Sequence, residues 1–399
     1  MISAEKARTH TLRMYALLVC ATVFLIISRG MIDYSSPVYA GFDLHHYLRV
    51  AAAAPHLSPD IDPPYAYRLL GPYIVGLLPL PAPLGFRLVT SITFLVLAIL
   101  LFKFLTDQGI QDYVALSTCI LFECGRYSFG LLVWDPFQID DVLTMLCLLA
   151  SIMLLFRRRW VAFALCFALG SLTREAVMIL VPVSFVYLWE NRTLRRDATK
   201  WSLAITPAIL IFILVHVFVT ADGTQMGLAG ILPYYQSEFN DSIQNALTAE
   251  AWLRRLIWNF MPLTFLPVMF FRTTRSFCSR HKFMLLFFVL VVITDLWGID
   301  VGGGDAERQM APAFLPFFWL IAEILQTWFL RPKWALPGLL VGGYVASLHH
   351  LQGVYPLPSK LATLYVTLIG LTEITLIALW IKVGEKQMSP PQQSADMLG

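Results

Sequence analysis

Asp43, His46 and Tyr47 lie three and four residues apart, the spacing that puts side chains on one face of a short helix. A carboxylate placed there is able to take a proton from a hydroxyl nucleophile; Asp43 is equally suited to cap a helix that follows it. Further along, Trp134-Asp135-Pro136-Phe137-Gln138-Ile139-Asp140-Asp141 ends in adjacent carboxylates. Such a pair binds a divalent cation through oxygen ligands, orients sugar hydroxyls, or starts the apolar helix after it. Thr173-Arg174-Glu175 brings a guanidinium whose fork of donors suits a phosphate, or a nearby Asp or Glu. Asp300-Val301-Gly302-Gly303-Gly304-Asp305-Ala306-Glu307-Arg308 joins three glycines, which let backbone amides approach an anion, to a second arginine. It lacks the spacing and lysine of a phosphate-binding P-loop, and a loop capped by Asp305 is the plainer alternative.

Other polar residues carry less. His349 and His350 are adjacent, so on a helix they point apart and do not form a metal site by themselves. Glu123 and Arg126, spaced i,i+3, are expected to pair within the membrane, with Glu323 and Glu373 standing alone. The six cysteines show no CxxC spacing, which argues against a zinc site or a disulfide framework.

Bilayer-spanning helices must position these residues. Of the 399 residues 58% are hydrophobic and 14% charged, against about 25% charged in a soluble domain. Several apolar runs approach the roughly 20 residues that cross a hydrocarbon core, and they lack the alternation of a barrel strand. The expected fold is all-α: a polytopic transmembrane helical bundle of about 12 segments, near 12–30, 85–104, 113–131, 138–156, 160–172, 175–189, 201–219, 256–271, 283–298, 311–329, 334–350 and 361–381. The run 69–80 is too short to span and is followed by three prolines, so it reads as a re-entrant or interfacial helix in the first outer loop. The apolar run after Lys6, Arg8 and Arg13 reads as an uncleaved first helix. The organisation is one transmembrane domain, 1–388, with long outer loops at 31–84 and 220–255 and a disordered cytoplasmic tail at 389–399.

With the N-terminus in the cytoplasm, the positive-inside rule is satisfied loop after loop. Arg157 to Arg159, then Arg192, Arg195, Arg196 and Lys200, then Arg272, Arg275, Arg280 and Lys282, then Arg331 and Lys333 all fall inside, and both termini are cytoplasmic. The outer side collects Asp43, Asp140, Asp141, Glu175, Asp305 and Glu307. A net charge of +3 without a concentrated basic region gives no support to nucleic-acid binding. A cavity at the outer face suits this distribution better than a transport path, whose polar groups gather near the midplane.

On Phe42-Asp43 with Tyr47, on Pro64-Tyr65-Ala66-Tyr67-Arg68-Leu69-Leu70-Gly71-Pro72 and on Thr173-Arg174-Glu175, the sequence resembles the polytopic glycosyltransferases of the GT-C class. It also resembles the uncharacterised bacterial membrane proteins related to that class, which share a loop like Gly304-Asp305-Ala306-Glu307-Arg308. Where the class often carries two acids close together in its first loop, Asp43 is followed by His45 and His46. The resemblance implies direct displacement of a sugar from a polyprenyl phosphate onto a glycan, lipid or protein acceptor outside a bacterial inner membrane. Asp43 would be the catalytic base. His46, Tyr47, Arg68, Asp140, Asp141, Arg174, Glu175, Asp305 and Arg308 would bind substrate and phosphate. No cofactor is required, although a divalent cation is compatible with the acids.

Overall fold

The computed structural model describes residues 2–32, 44–57, 61, 65–218, 256–257, 259–260, 263–297, 306–330, 335–347, 368 and 372. Among them every regular element is helical. The first half of the chain gives α1 (Ile2–Ser28), α2 (Leu44–Ala53), α3 (Leu70–Gly76), α4 (Ala82–Asp107), α5 (Asp112–Glu123), α6 (Leu131–Trp134), α7 (Ile139–Phe156), α8 (Trp160–Gly170), α9 (Leu180–Glu190) and α10 (Leu194–Phe218). The second half gives α11 (Leu266–Met269), α12 (Phe271–Arg280), α13 (Lys282–Trp297), α14 (Phe314–Trp328) and α15 (Ala335–Ser347).

Among the described residues five helices are long and apolar enough to cross a membrane: Thr9–Ser28, Ala82–Asp107, Pro136–Phe156, Leu194–Val217 and Arg308–Trp328. The number rises to seven if α5 with Arg126–Trp134, bent by 80°, and α12 with α13, bent by 103°, each count as one span. These helices fit a membrane protein. Along α1 and α10 the side chains of Leu12, Leu17, Phe24, Ile27, Leu203 and Leu210 are exposed, and lipid is the solvent in which that exposure carries no hydrophobic penalty. The centre is held by α7 and α14, whose spans are mostly buried. Phe314, Phe318, Trp319 and Leu325 pack there against Phe104, Phe122 and Phe156.

Local sequence explains where several elements start and stop. Pro81 precedes α4 and Pro83 sits in its first turn, where a missing N–H costs nothing. Gly109, with φ of +83°, follows the end of α4 in the left-handed conformation that glycine adopts most easily. The segments expected at 160–172 and 175–189 are two short helices of 11 residues each, α8 and α9, with a turn at 171–174 and a 3-10 segment (Glu175–Ile179) between them. The run 69–80 holds only the seven-residue α3, about 10 Å long at 1.5 Å per residue and too short to cross. Of the expected span at 361–381 only residues 368 and 372 are described, both helical, and the loop 220–255 lies outside the described residues.

Charge separates to the two ends of the bundle. At one end Asp107 pairs with Lys103 and with Arg157, Arg158 with Asp197, and Glu323 with Arg280 and His281. At that same end Glu190 accepts the backbone N–H groups of Lys282 and Phe283. The described basic loops, at 157–159, 192–200 and 272–282, therefore share one end, while Asp140 and Asp141 stand at the other end of α7. Two intramembrane expectations change. Glu323 is paired, not isolated. Glu123 ends α5 before the bend, so it does not share a continuous helix with Arg126; its Oε1 accepts from the Thr22 hydroxyl at 2.5 Å, and its carbonyl accepts from Arg29 at 3.3 Å.

Candidate functional site

Asp140 and Asp141 occupy the first turn of α7, where the exposed N–H groups of the helix favour negative charge. Neither needs to cap its own helix, because each reaches another part of the chain. Oδ1 of Asp140 accepts the Gly71 N–H at 3.0 Å, tying α3 to α7. Asp141 is shared between two guanidiniums: Arg174 contacts Oδ1, and Nε of Arg308 lies 3.3 Å from Oδ2. All three side chains are less than one-tenth exposed. A bare charge at that depth is expensive, so the three stand or fall together.

The turn that carries Arg174 is fixed from two sides. Thr173 donates to the Gly170 carbonyl at 2.6 Å and meets the Thr144 hydroxyl of α7 at 2.8 Å. The Leu172 carbonyl accepts the N–H groups of Leu69 and Leu70 at 2.9 and 3.1 Å. The first loop is thereby bound to the turn between α8 and α9, which brings Arg68 in. Arg68 donates to the Tyr47 hydroxyl at 3.4 Å and lies 5.9 Å from the Tyr65 ring centre. Tyr47 is fully buried, and burial pushes its pKa up, so it remains a neutral phenol. Burial opposes the charge on Arg68, yet Tyr47 and Glu175 beside it hold its pKa above the ordinary value. Burial, with Arg68 and Arg308 nearby, presses the Arg174 pKa down; the direct pair with Asp141 keeps it charged at neutral pH.

Six of the residues singled out in the sequence thus form one buried cluster: Tyr47, Arg68, Asp140, Asp141, Arg174 and Arg308. Glu175 adjoins it, acting electrostatically on Arg68, Arg174 and Asp140. His46 reaches it through Tyr65, against whose ring it stacks at 4.3 Å. Asp43, Asp305, His349 and His350 lie outside the described residues. Two residues were missed, Tyr67 and His216. Tyr67 stood inside the quoted first-loop motif, and His216 is a lone ionisable residue in an apolar run, itself a signal of function. Their rings stack at 4.2 Å, and Nε2 of His216 lies 4.0 Å from Oε1 of Glu175.

No protein-family model, curated protein or solved structure matches this chain. Chemistry alone therefore limits what the cluster can do. Two guanidiniums bring about ten N–H donors against about four lone-pair sites on one carboxylate, so the pair on Asp141 suits a second anion. Asp141 is engaged by the two arginines, while Asp140 is engaged by an amide through Oδ1 alone and its Oδ2 has no hydrogen-bond partner. Among the described residues no group of three or more His, Cys, Asp or Glu side chains is placed to hold a metal ion.

Gly71 sets the spacing of the cluster. A Cβ at that position would run into the Ile139 side chain and stand 2.9 Å from Oδ1 of Asp140. Gly71→Ala is expected to destabilise the chain by about 1–3 kcal/mol through overpacking. A fall in the thermal unfolding midpoint of the purified chain in detergent checks this; an unchanged midpoint would mean that α3 does not dock as described.

Proposed function

We propose that this chain is an integral membrane transferase, similar to the GT-C class, that moves a sugar from a polyprenyl-phosphate donor to a glycan, lipid or protein acceptor. The observation that carries this reading is Asp141 shared between Arg174 and Arg308, with Arg68 alongside, at the end of the bundle away from the basic loops. Paired guanidiniums stabilise the phosphate charge that develops as the lipid carrier leaves. Asp43, one residue before α2 in sequence, is the proposed base on the acceptor hydroxyl. The reaction needs no cofactor.

The depth of the cluster favours this over transport. Asp141 stands about 22 Å along α7 from its Phe156 end at 1.5 Å per residue, beyond the middle of a hydrocarbon layer about 30 Å thick. Glu323, one of the acids a transport path would call on, is held at the opposite end by Arg280 and His281. On the positive-inside rule the basic end faces the cytoplasm and the cluster faces outward, in a bacterial inner membrane crossed by about 12 segments.

Decyl phosphate, titrated into the full chain in phosphatidylcholine nanodiscs, tests the anion site. Arg308→Gln is expected to weaken its binding about 10- to 100-fold, the loss of a charge-assisted contact. Equal affinity in both proteins would remove Arg308 from the phosphate site.

A further inference from the structure

Beside the arginines, the stacked pair of Tyr67 and His216 has a different chemistry. Both are 5% exposed, and the Tyr67 hydroxyl and Nε2 of His216 have no hydrogen-bond partner. A buried polar atom left so is costly unless a ligand or water completes it. Nδ1 of His216 lies 2.8 Å from the Phe212 carbonyl, which only accepts. Nδ1 therefore carries a hydrogen, and in the Nδ1–H tautomer Nε2 presents a lone pair. One stacked ring thus offers an acceptor and the other a donor. A hydroxyl, which both donates and accepts, complements the two, and Glu175 at 4.0 Å from Nε2 is a third group to which a polyol can donate.

The walls of this corner are built to hold it in place. Val215, on the turn of α10 next to His216, packs with Tyr67 on the cluster formed by Val50, Ile61, Ala66 and Leu69. Phe212 covers the other part of the imidazole, with ring centres 4.1 Å apart. The end of α10 is therefore docked on the same first-loop segment that carries Arg68.

We propose that Tyr67, His216 and Glu175 form a hydroxyl-binding subsite for a carbohydrate, the acceptor side of the transferase proposed above, on which its role in transfer rests. Arg68, adjacent to Tyr67 in sequence and electrostatically coupled to Glu175, joins this subsite to the phosphate site. The substrate class is a sugar or other polyol presented at the outer part of the membrane.

The test compares two probes with the same tail, decyl β-D-glucoside and decyl phosphate, titrated into the full chain in phosphatidylcholine nanodiscs. Tyr67→Phe and His216→Phe each keep an aromatic ring in the stack; the first removes the hydroxyl alone, the second removes Nε2 together with Nδ1 and its contact to the Phe212 carbonyl. Tyr67→Phe removes a hydroxyl that no protein group bonds, so folding is retained. Each variant is expected to weaken glucoside binding about five- to tenfold, the loss of one neutral hydrogen bond, and to leave decyl phosphate binding unchanged. Glucoside affinity equal in wild type and both variants, as when water fills the pair, overturns the proposal, and so does an absence of glucoside binding. Variant-sensitive glucoside binding without decyl phosphate binding upholds this subsite and sinks the phosphate reading instead.

Discussion

Arg174→Met is expected to cost about 3–5 kcal/mol of stability and to abolish sugar transfer, the larger effect on folding of any single change at this cluster. The reason is what it leaves behind. Arg174 and Asp141 are both more than nine-tenths buried, and breaking a buried pair strands the remaining charge in a medium that cannot solvate it. Arg308 keeps part of its hold on Asp141, 3.3 Å from Oδ2, which sets the loss at the lower part of that range. Arg174→Met with Asp141→Leu removes both charges, and replacing a buried pair by apolar groups is often neutral. Arg308, equally buried, loses Asp141 in the double variant, so only part of the stability should be recovered while transfer stays lost, because no guanidinium remains at position 174 for the leaving phosphate. Denaturant unfolding of the purified chain, with a double-mutant cycle over the two positions, measures the coupling. A coupling below about 0.5 kcal/mol would deny the pair its structural role. Transfer by the double variant at the wild-type rate would deny Arg174 its chemical one.

The separation of the two ends was legible before any coordinates because it is written in charge. Arg157, Arg158, Arg280 and Lys282 follow or precede apolar runs on one parity, and their acidic partners Asp107, Asp197, Glu190 and Glu323 meet them there. The turn at Thr173-Arg174-Glu175 was legible as well, since charge between two short apolar runs has to face a polar partner. What the sequence left open was the partner. Arg174 had candidates in Glu175 and in an Asp, and only the docking of α7 against the α8–α9 turn through Thr144 and Thr173 selects Asp141.

Other features were illegible because they depend on tertiary contact. The bend after Glu123 follows no proline; the chain passes through Gly125, where a Cβ would press on Ser128 and the Asn259 carbonyl, and then turns by 80°. Glu123 accordingly finds Thr22 and Arg29 of the first helical region, about 100 residues away in sequence. His216 carried a signal as a lone ionisable residue in an apolar run, but nothing local named its partners. A single histidine in an apolar run has no local pattern, and its neighbours Tyr67 and Glu175 come from distant segments.

Asp43→Asn is expected to lower the turnover number by about two to four orders of magnitude, the usual contribution of a positioned general base. Asp43 lies outside the described residues, next to the described helix α2. That helix starts at Leu44 and buries Tyr47 against Arg68, in the loop segment bound to the turn that carries Arg174. An amide keeps the size of the carboxylate and much of its hydrogen bonding but accepts no proton at neutral pH. The proposed phosphate site is made by Arg174 and Arg308, so decyl phosphate should bind Asp43→Asn as it binds the wild type. Lost turnover with intact anion binding separates a base from a structural residue, since misfolding would remove both. Near-normal turnover would pass the role to another group at the same end of the bundle, and the Glu175 and His216 pair, 4.0 Å apart beside the proposed acceptor, would be the next to replace.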